Sequence, residues 1–123
     1  MQNANVMEKN PVVDKSFMFA VRIVNLYKYM IREHKEYIIS KQILRCGTSI
    51  GANIAEAQRG QSKADFAAKM SIALKEASET EYWLRLLWET EYLSKEQYSS
   101  LSADIQELIS LLTAICRTAN QTK

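Results

Sequence analysis

The sequence predicts an all-α protein, an antiparallel up-down-up-down four-helix bundle. Three observations carry that prediction. Gly occurs three times and Pro once in 123 residues, far too few turn formers for a β protein with many hairpins. Apolar residues recur at spacings of three and four through most of the chain. The connections between these periodic stretches are short, so neighbouring helices must run antiparallel. The length suits one domain. Its expected limits are a tail over residues 1–12, a bundle over 13–119 and a frayed end over 120–123.

Residues 1–10 are polar and lack the apolar core of a signal peptide. Pro11 precedes the first helix, expected over residues 13–33, and Asp14 can cap it or place negative charge in its first turn. Its buried stripe reads as Phe17, Ala20, Val21, Val24, Tyr27 and Ile31, flanked by Ile23 and Met30. Lys15, Arg22, Lys28 and Arg32 fall on the other side, as a solvated basic face. His34 lies in the connection and has no partner at metal-ligand spacing. Ser40 reads as the N-cap of the second helix, with Ile38 or Ile39 as its hydrophobic staple.

The second helix is the least ordinary stretch. Ile43, Gly47, Ile50, Ile54 and Ala57 line one face, with Leu44, Thr48, Gly51 and Ala55 beside them. Gly47 and Gly51 each cost about 1 kcal/mol of helix propensity relative to Ala. At i and i+4 they clear one face for a neighbouring backbone, as in membrane helix pairs. Arg45, Asn53 and Glu56 exclude a membrane span here, so the use is close packing in a bundle. Gln42, Arg45, Ser49, Asn53 and Glu56 form a third, polar strip that suits another surface better than water. Arg45 and Glu56 stand about 16 Å apart along the helix and cannot pair with each other. Arg59 or Lys69 is the expected partner of Glu56, and an acidic residue of another helix or subunit that of Arg45.

The turn at Arg59–Gln61 is short. Ser62 with Asp65 forms a capping-box-like start to a third helix expected over 63–91. Phe66, Met70, Ala73, Leu74, Ala77, Leu84, Leu87 and Trp88 make its buried stripe. Lys75 with Glu79 and Glu81 with Arg85 have the i,i+4 spacing of helix ion pairs. Ser94 with Gln97 is a second capping box, opening a fourth helix expected over 95–119. Tyr98, Leu101, Ile105, Leu108, Leu112, Ile115 and Ala119 form its core stripe. Ile109, Leu111 and Cys116 widen that stripe beyond one core, which implies a second contact surface, most simply another copy.

Net charge is +2, but residues 1–75 carry +6 and residues 76–123 carry −4. The two parts are expected to attract each other within or between subunits. Cys46 and Cys116 lie in apolar surroundings and read as reduced thiols of an intracellular, cytoplasmic protein. No run reaches the roughly 18 apolar residues of a membrane span. Catalytic, cofactor and metal sites find no support: there is no Glu-x-x-His, Cys-x-x-Cys, phosphate-binding loop or Gly-x-Ser-x-Gly. Glu56 and Glu76 can approach across the second and third helices as a carboxylate pair, with a structural contact the expected use.

Gln42-x-x-Arg45 followed by Ser49-Ile50-x-x-Asn53-Ile54-Ala55-Glu56 resembles the signature of the bacterial four-helix bundle family, also called the 23S rRNA intervening-sequence protein or S23 family. The resemblance runs on through Arg59, Ser62, Asp65, Phe66 and Ala73-Leu74-x-Glu76-Ala77 to Glu81 and Leu84, about two thirds of the chain. Two departures stand out. The family commonly has Pro where this chain has Gly51, and Gly where it has Ala57, which moves the expected helix end toward Gly60. The resemblance implies a homo-oligomer, with a pentameric ring favoured. It also brings in relatives encoded within ribosomal RNA and accessory proteins of diversity-generating retroelements. Those accessory barrels are more basic than this chain.

The resulting expectation is a non-enzymatic oligomeric scaffold in which Gln42, Arg45, Ser49, Asn53 and Glu56 specify packing. The alternative is binding of ribosomal RNA, another nucleic acid or a nucleic-acid-handling protein. Lys41, Arg59, Lys63 and Lys69 would then supply phosphate contacts repeated around a ring.

Overall fold

The structure is a computed structural model that describes residues 10–121. These residues form four α-helices: α1 Pro11–Tyr29, α2 Ile39–Ala57, α3 Lys63–Glu89 and α4 Lys95–Gln121. Each packs on its neighbours in sequence, and α4 closes the ring on α1 with less contact. The expected antiparallel bundle is present. Of the expected tail, residues 1–9 lie outside the described part, while Pro11 and Val12 already belong to α1 and Val12 is buried. Of the expected frayed end, Asn120 and Gln121 are helical, and residues 122–123 lie outside.

Pro11 takes the first helical position, where its missing N–H removes no helix bond. Asp14 sits in the first turn, and Asn10 donates to Gln58 Oε1 at 3.1 Å instead of capping its own helix. The inward face of α1 differs from the expected one. Val12, Ser16, Phe19, Ile23, Leu26 and Met30 are buried, whereas Phe17 is 66% and Val21 40% exposed. Both stripes have helical spacing. Ser16, a polar residue only 1% exposed, interrupts the true one and obscures it.

The glycines of α2 explain which face won. A Cβ on Gly47 would stand 2.8 and 2.9 Å from the Ile23 side chain. One on Gly51 would stand 3.2 Å from the Ser16 carbonyl oxygen, a backbone atom. The expected close packing is therefore between α2 and α1. Ser16 suits this seam because it is small and returns its hydroxyl to the Val13 carbonyl at 3.1 Å.

α1 runs into one π-helical turn, Met30–His34, and ends at Lys35 with a left-handed φ of 54°. His34 belongs to this turn and is half-buried, with Tyr29 and Tyr92 edge-on at 5.3 and 5.2 Å. Ser40 does not cap α2; it lies inside the helix and is buried. Glu36 takes the capping role. Its carboxylate accepts from the N–H groups of Ile38, Ile39 and Ser40 at 3.1, 2.9 and 2.8 Å, and the Ser40 hydroxyl donates to the Glu36 carbonyl at 2.6 Å. Burial opposes ionisation of Glu36, but these hydrogen bonds outweigh it and hold its pKa below the ordinary carboxylate value.

α3 and α4 start as expected. Ser62 Oγ accepts from Asp65 N at 3.1 Å; Ser94 and Gln97 exchange bonds of 3.1 and 2.8 Å. Met70, Ala73, Ala77, Leu84 and Leu87 of α3 meet Leu101, Ile105, Leu108 and Leu112 of α4 in the core. Trp88 stacks on Tyr98 with centroids 4.5 Å apart. The expected Lys75–Glu79 and Glu81–Arg85 pairs do not form. Glu79 turns to Arg45 and Trp83, and Glu81 accepts from Gln106.

Two stability outcomes follow from this geometry. Gly47→Ala gains about 1 kcal/mol of helix propensity but loses about 1–3 by overpacking against Ile23. It lowers the urea midpoint in the wild type and costs less, or nothing, in an Ile23→Ala background; equal costs in the two backgrounds would remove the contact from the account. Glu36→Gln costs about 1 kcal/mol at pH 7, as loss of a helix cap does. The folded pKa of Glu36 is depressed. Its contribution is thus complete above the unfolded value of about 4.3 and fades as pH falls through the folded value. Urea melts of both proteins at pH 7 and pH 3 will show a gap that narrows in acid; a constant gap would count against the cap.

Candidate interaction surfaces

The polar strip of α2 lies along the α2–α3 seam. Arg45 donates to Glu79 Oε2 at 2.7 Å and Glu76 Oε1 at 3.4 Å. Trp83 Nε1 adds a bond to the same Glu79 oxygen at 3.0 Å. This tryptophan bond is the main reason the Glu79 pKa is lowered; burial opposes it, and Arg45 reinforces it. Toward the other end, Glu56 pairs with Lys69 at 2.8 Å, which lowers its pKa. Asn53 turns back onto Ser49, donating to its carbonyl and hydroxyl oxygens at 2.9 Å each. Gln42 is exposed. Arg45 and Glu56 thus find their partners on α3 of the same chain. Glu76 belongs to the Arg45 cluster and Glu56 to Lys69, so the two carboxylates form no pair.

The residues proposed from sequence for nucleic-acid contact do not form one patch. Lys41 sits in the first turn of α2 and Arg59 just past its end, about 27 Å apart along the helix. Lys69 is occupied by Glu56. Arg59 and Lys63, either side of the α2–α3 turn, are exposed and have no ion-pair partner among the described residues.

Sequence reading missed the contacts at the α1–α4 seam. The Arg22 guanidinium donates to Asp104 Oδ2 at 2.6 Å, the Ser100 hydroxyl at 2.8 Å and the Ser100 carbonyl at 3.3 Å. Lys15 pairs with Glu107 at 3.2 Å. The signal was available in the spacing of Ser100, Asp104 and Glu107, which places them on one side of a helix. These bridges join the basic and acidic parts of the chain within one subunit.

The outward side of α1 is apolar. Phe17, Met18 and Val21 are exposed, Met18 by 54%, and Val13, Ala20 and Val24 are half-buried beside them. Gly51 borders α1, so Leu44, Thr48 and Ala55 on the same side of α2 lie next to this stripe. Sequence reasoning looks for broad apolar surface on α2 and α4; Phe17, Met18 and Val21 place exposed apolar side chains on α1.

No cluster of three or more His, Cys, Asp or Glu among the described residues is placed to hold a metal ion, and no helix there is long and apolar enough to cross a membrane. Cys46 and Cys116 are both buried free thiols. Burial pushes the Cys46 thiol up to about 11, against the Thr80 hydroxyl 3.2 Å away.

The model of the 23S rRNA-intervening sequence protein family matches residues 8–114. The chain belongs to that family. It is also similar to the crystal structure of a protein with unknown function from the S23 ribosomal protein family of Bacteroides thetaiotaomicron VPI-5482. The two are 62% identical over 85% of this chain and 97% of that one, with a TM-score of 0.84. Among curated proteins none matches. Membership of the family accords with the resemblance carried by Gln42 to Glu56, of which Arg45 and Glu56 hold α2 to α3, Ser49 and Asn53 bond within α2, and Ile50 and Ile54 lie in the core.

Alkylation tests the burial of Cys46. Its raised pKa alone lowers the thiolate fraction at pH 8 by about 100-fold relative to an unperturbed thiol. Iodoacetamide should leave Cys46 of the folded protein unlabelled while modifying it rapidly in urea. Equal rates in the two states would contradict the packed α2–α3 seam.

Proposed function

We propose that this protein is a non-enzymatic, homo-oligomeric interaction module whose copies meet through the outward face of α1. The observation that carries the reading is the run of Phe17, Met18 and Val21 on the surface, flanked by half-buried apolar side chains. Burying one such side chain is worth about 1.5–3 kcal/mol. A contiguous apolar strip of this kind marks a contact surface on soluble proteins. A ring of five subunits is the assembly that the family resemblance favours.

A second reading is binding of ribosomal or other RNA. It draws on Arg59 and Lys63, whose charges are exposed and unneutralised by any acid among the described residues. One such pair is weak, but an oligomer repeats it in every subunit, and phosphate contacts add.

Light scattering coupled to gel filtration tests the first reading. The wild type should run as a multiple of 14.1 kDa, and Phe17→Asp/Val21→Asp should fall to one subunit mass with unchanged helix content. An assembly that survives both charges, or a wild-type monomer, would overturn it. Adding a ribosomal RNA fragment at 50 and 200 mM salt addresses the second reading. It requires a complex that weakens with salt and is lost in Arg59→Ala/Lys63→Ala.

A further inference from the structure

The outward side of α1 carries a regular pattern. Asp14, Phe17, Val21, Val24 and Lys28 follow one another at spacings of three, four, three and four, the repeat of a coiled-coil seam. They share the side of α1 opposite Phe19, Ile23 and Leu26, which enter the core. Phe17, Val21 and Lys28 are exposed, and Asp14 and Val24 are half-buried. The middle of the seam is hydrocarbon, and one charge of each sign closes its ends.

Asp14 and Lys28 stand about 21 Å apart along the helix, with Val21 midway, about 10 Å from each. They cannot meet within one copy. Neither has an ion-pair partner among the described residues. The cations of α1 that do have partners, Lys15 and Arg22, lie on its α4 side, away from the seam.

We infer that this seam pairs with the same seam of a second copy, run antiparallel about a twofold axis at Val21. The inference rests on α1 being the contact face, as proposed above. Reversal about Val21 lays Asp14 of each copy beside Lys28 of the other, so the match is made twice. Phe17 of each copy comes level with Val24 and Asn25 of the other, and Val21 meets its own counterpart. A parallel pairing would set Asp14 against Asp14 and Lys28 against Lys28, and like charges so placed repel. The two ion pairs sit at the rim of an apolar contact, where they fix direction and register more than strength. Such a contact joins copies two by two. A larger assembly would contain an even number of copies and would need a second contact elsewhere on the bundle.

Charge reversal in the full chain tests this, read by light scattering and by sedimentation over a range of concentrations. The wild type should contain an even number of copies. Lys28→Asp and Asp14→Lys should each raise the dissociation constant of the α1 contact about tenfold, because two attractive pairs become two repulsive ones. The double variant Asp14→Lys/Lys28→Asp should return it to near the wild-type value. An equimolar mixture of the two single variants should assemble more tightly than either alone. Lys95→Asp, exposed on α4, should leave the constant unchanged. An assembly indifferent to both single reversals, or a double variant no tighter than the singles, would overturn the antiparallel pairing. So would an odd number of copies, which a twofold contact cannot close. In those cases, dissociation by Phe17→Asp/Val21→Asp would still keep α1 as the contact face in another arrangement; a monomeric wild type would overturn both.

Discussion

The bundle depends on a place where side chains are missing. Gly47 and Gly51 bring α2 so close to α1 that an added methyl group would strike the Ile23 side chain at the first and crowd the Ser16 carbonyl at the second. Two helical glycines are costly in isolation, about 2 kcal/mol together. What offsets them is the burial made possible by the approach: Phe19, Ile23, Leu26 and Met30 all reach the core from the same side of α1. The same contact fixes the rotation of α1 about its own axis. Once Ile23 is seated over Gly47, Phe17, Met18 and Val21 have no direction left but outward. The exposed stripe is thus a consequence of how α1 and α2 interlock.

This also explains what could be read from the sequence. Helix number, order and approximate limits were legible, because Gly60 and the two capping boxes punctuate long periodic stretches. The inward faces of α2, α3 and α4 were legible too, since each has polar residues opposite its apolar ones. α1 was not, because residues 17–24 are apolar at all positions but Arg22 and two stripes satisfy the helical period equally. Only a tertiary contact separates them. Ser16 compounds the difficulty: a buried serine reads as solvent-facing unless its hydroxyl is known to satisfy a local carbonyl. Glu36 was missed for a related reason. The familiar cap places its side chain next to the helix start, whereas Glu36 reaches forward across two to four residues to three free N–H groups at once.

The two long polar seams work differently. Between α2 and α3, Arg45, Glu79 and Trp83 form a shared cluster around one carboxylate oxygen, and burial beside it includes Cys46 and Thr80. Between α1 and α4, Arg22 and Lys15 hold the helices through half-exposed ion pairs, with less packing beneath. Exposed pairs contribute little stability each. The α1–α4 seam is therefore the weaker closure of the ring, kept in register by charge more than by a shared core. The +6 and −4 division of the chain becomes intelligible here, since each bridge on this seam joins a basic residue of the first part to an acidic one of the second.

The residues that carry the family resemblance mostly hold the bundle together. Arg45 and Glu56 clamp α2 to α3, Ser49 and Asn53 bond within α2, and Ile50 and Ile54 lie in the core. Likeness in these positions reports a shared fold, and a fold does not determine what its surface does. The surfaces left to act are those the motif does not touch: the apolar side of α1, the exposed cations at the α2–α3 turn and the groove beside Ala114 and Ile115 at the end of α4. Two are mainly apolar. Apolar surface gains free energy when water is removed from it, so the association proposed above draws on these sides of the bundle and not on the residues that carry the resemblance.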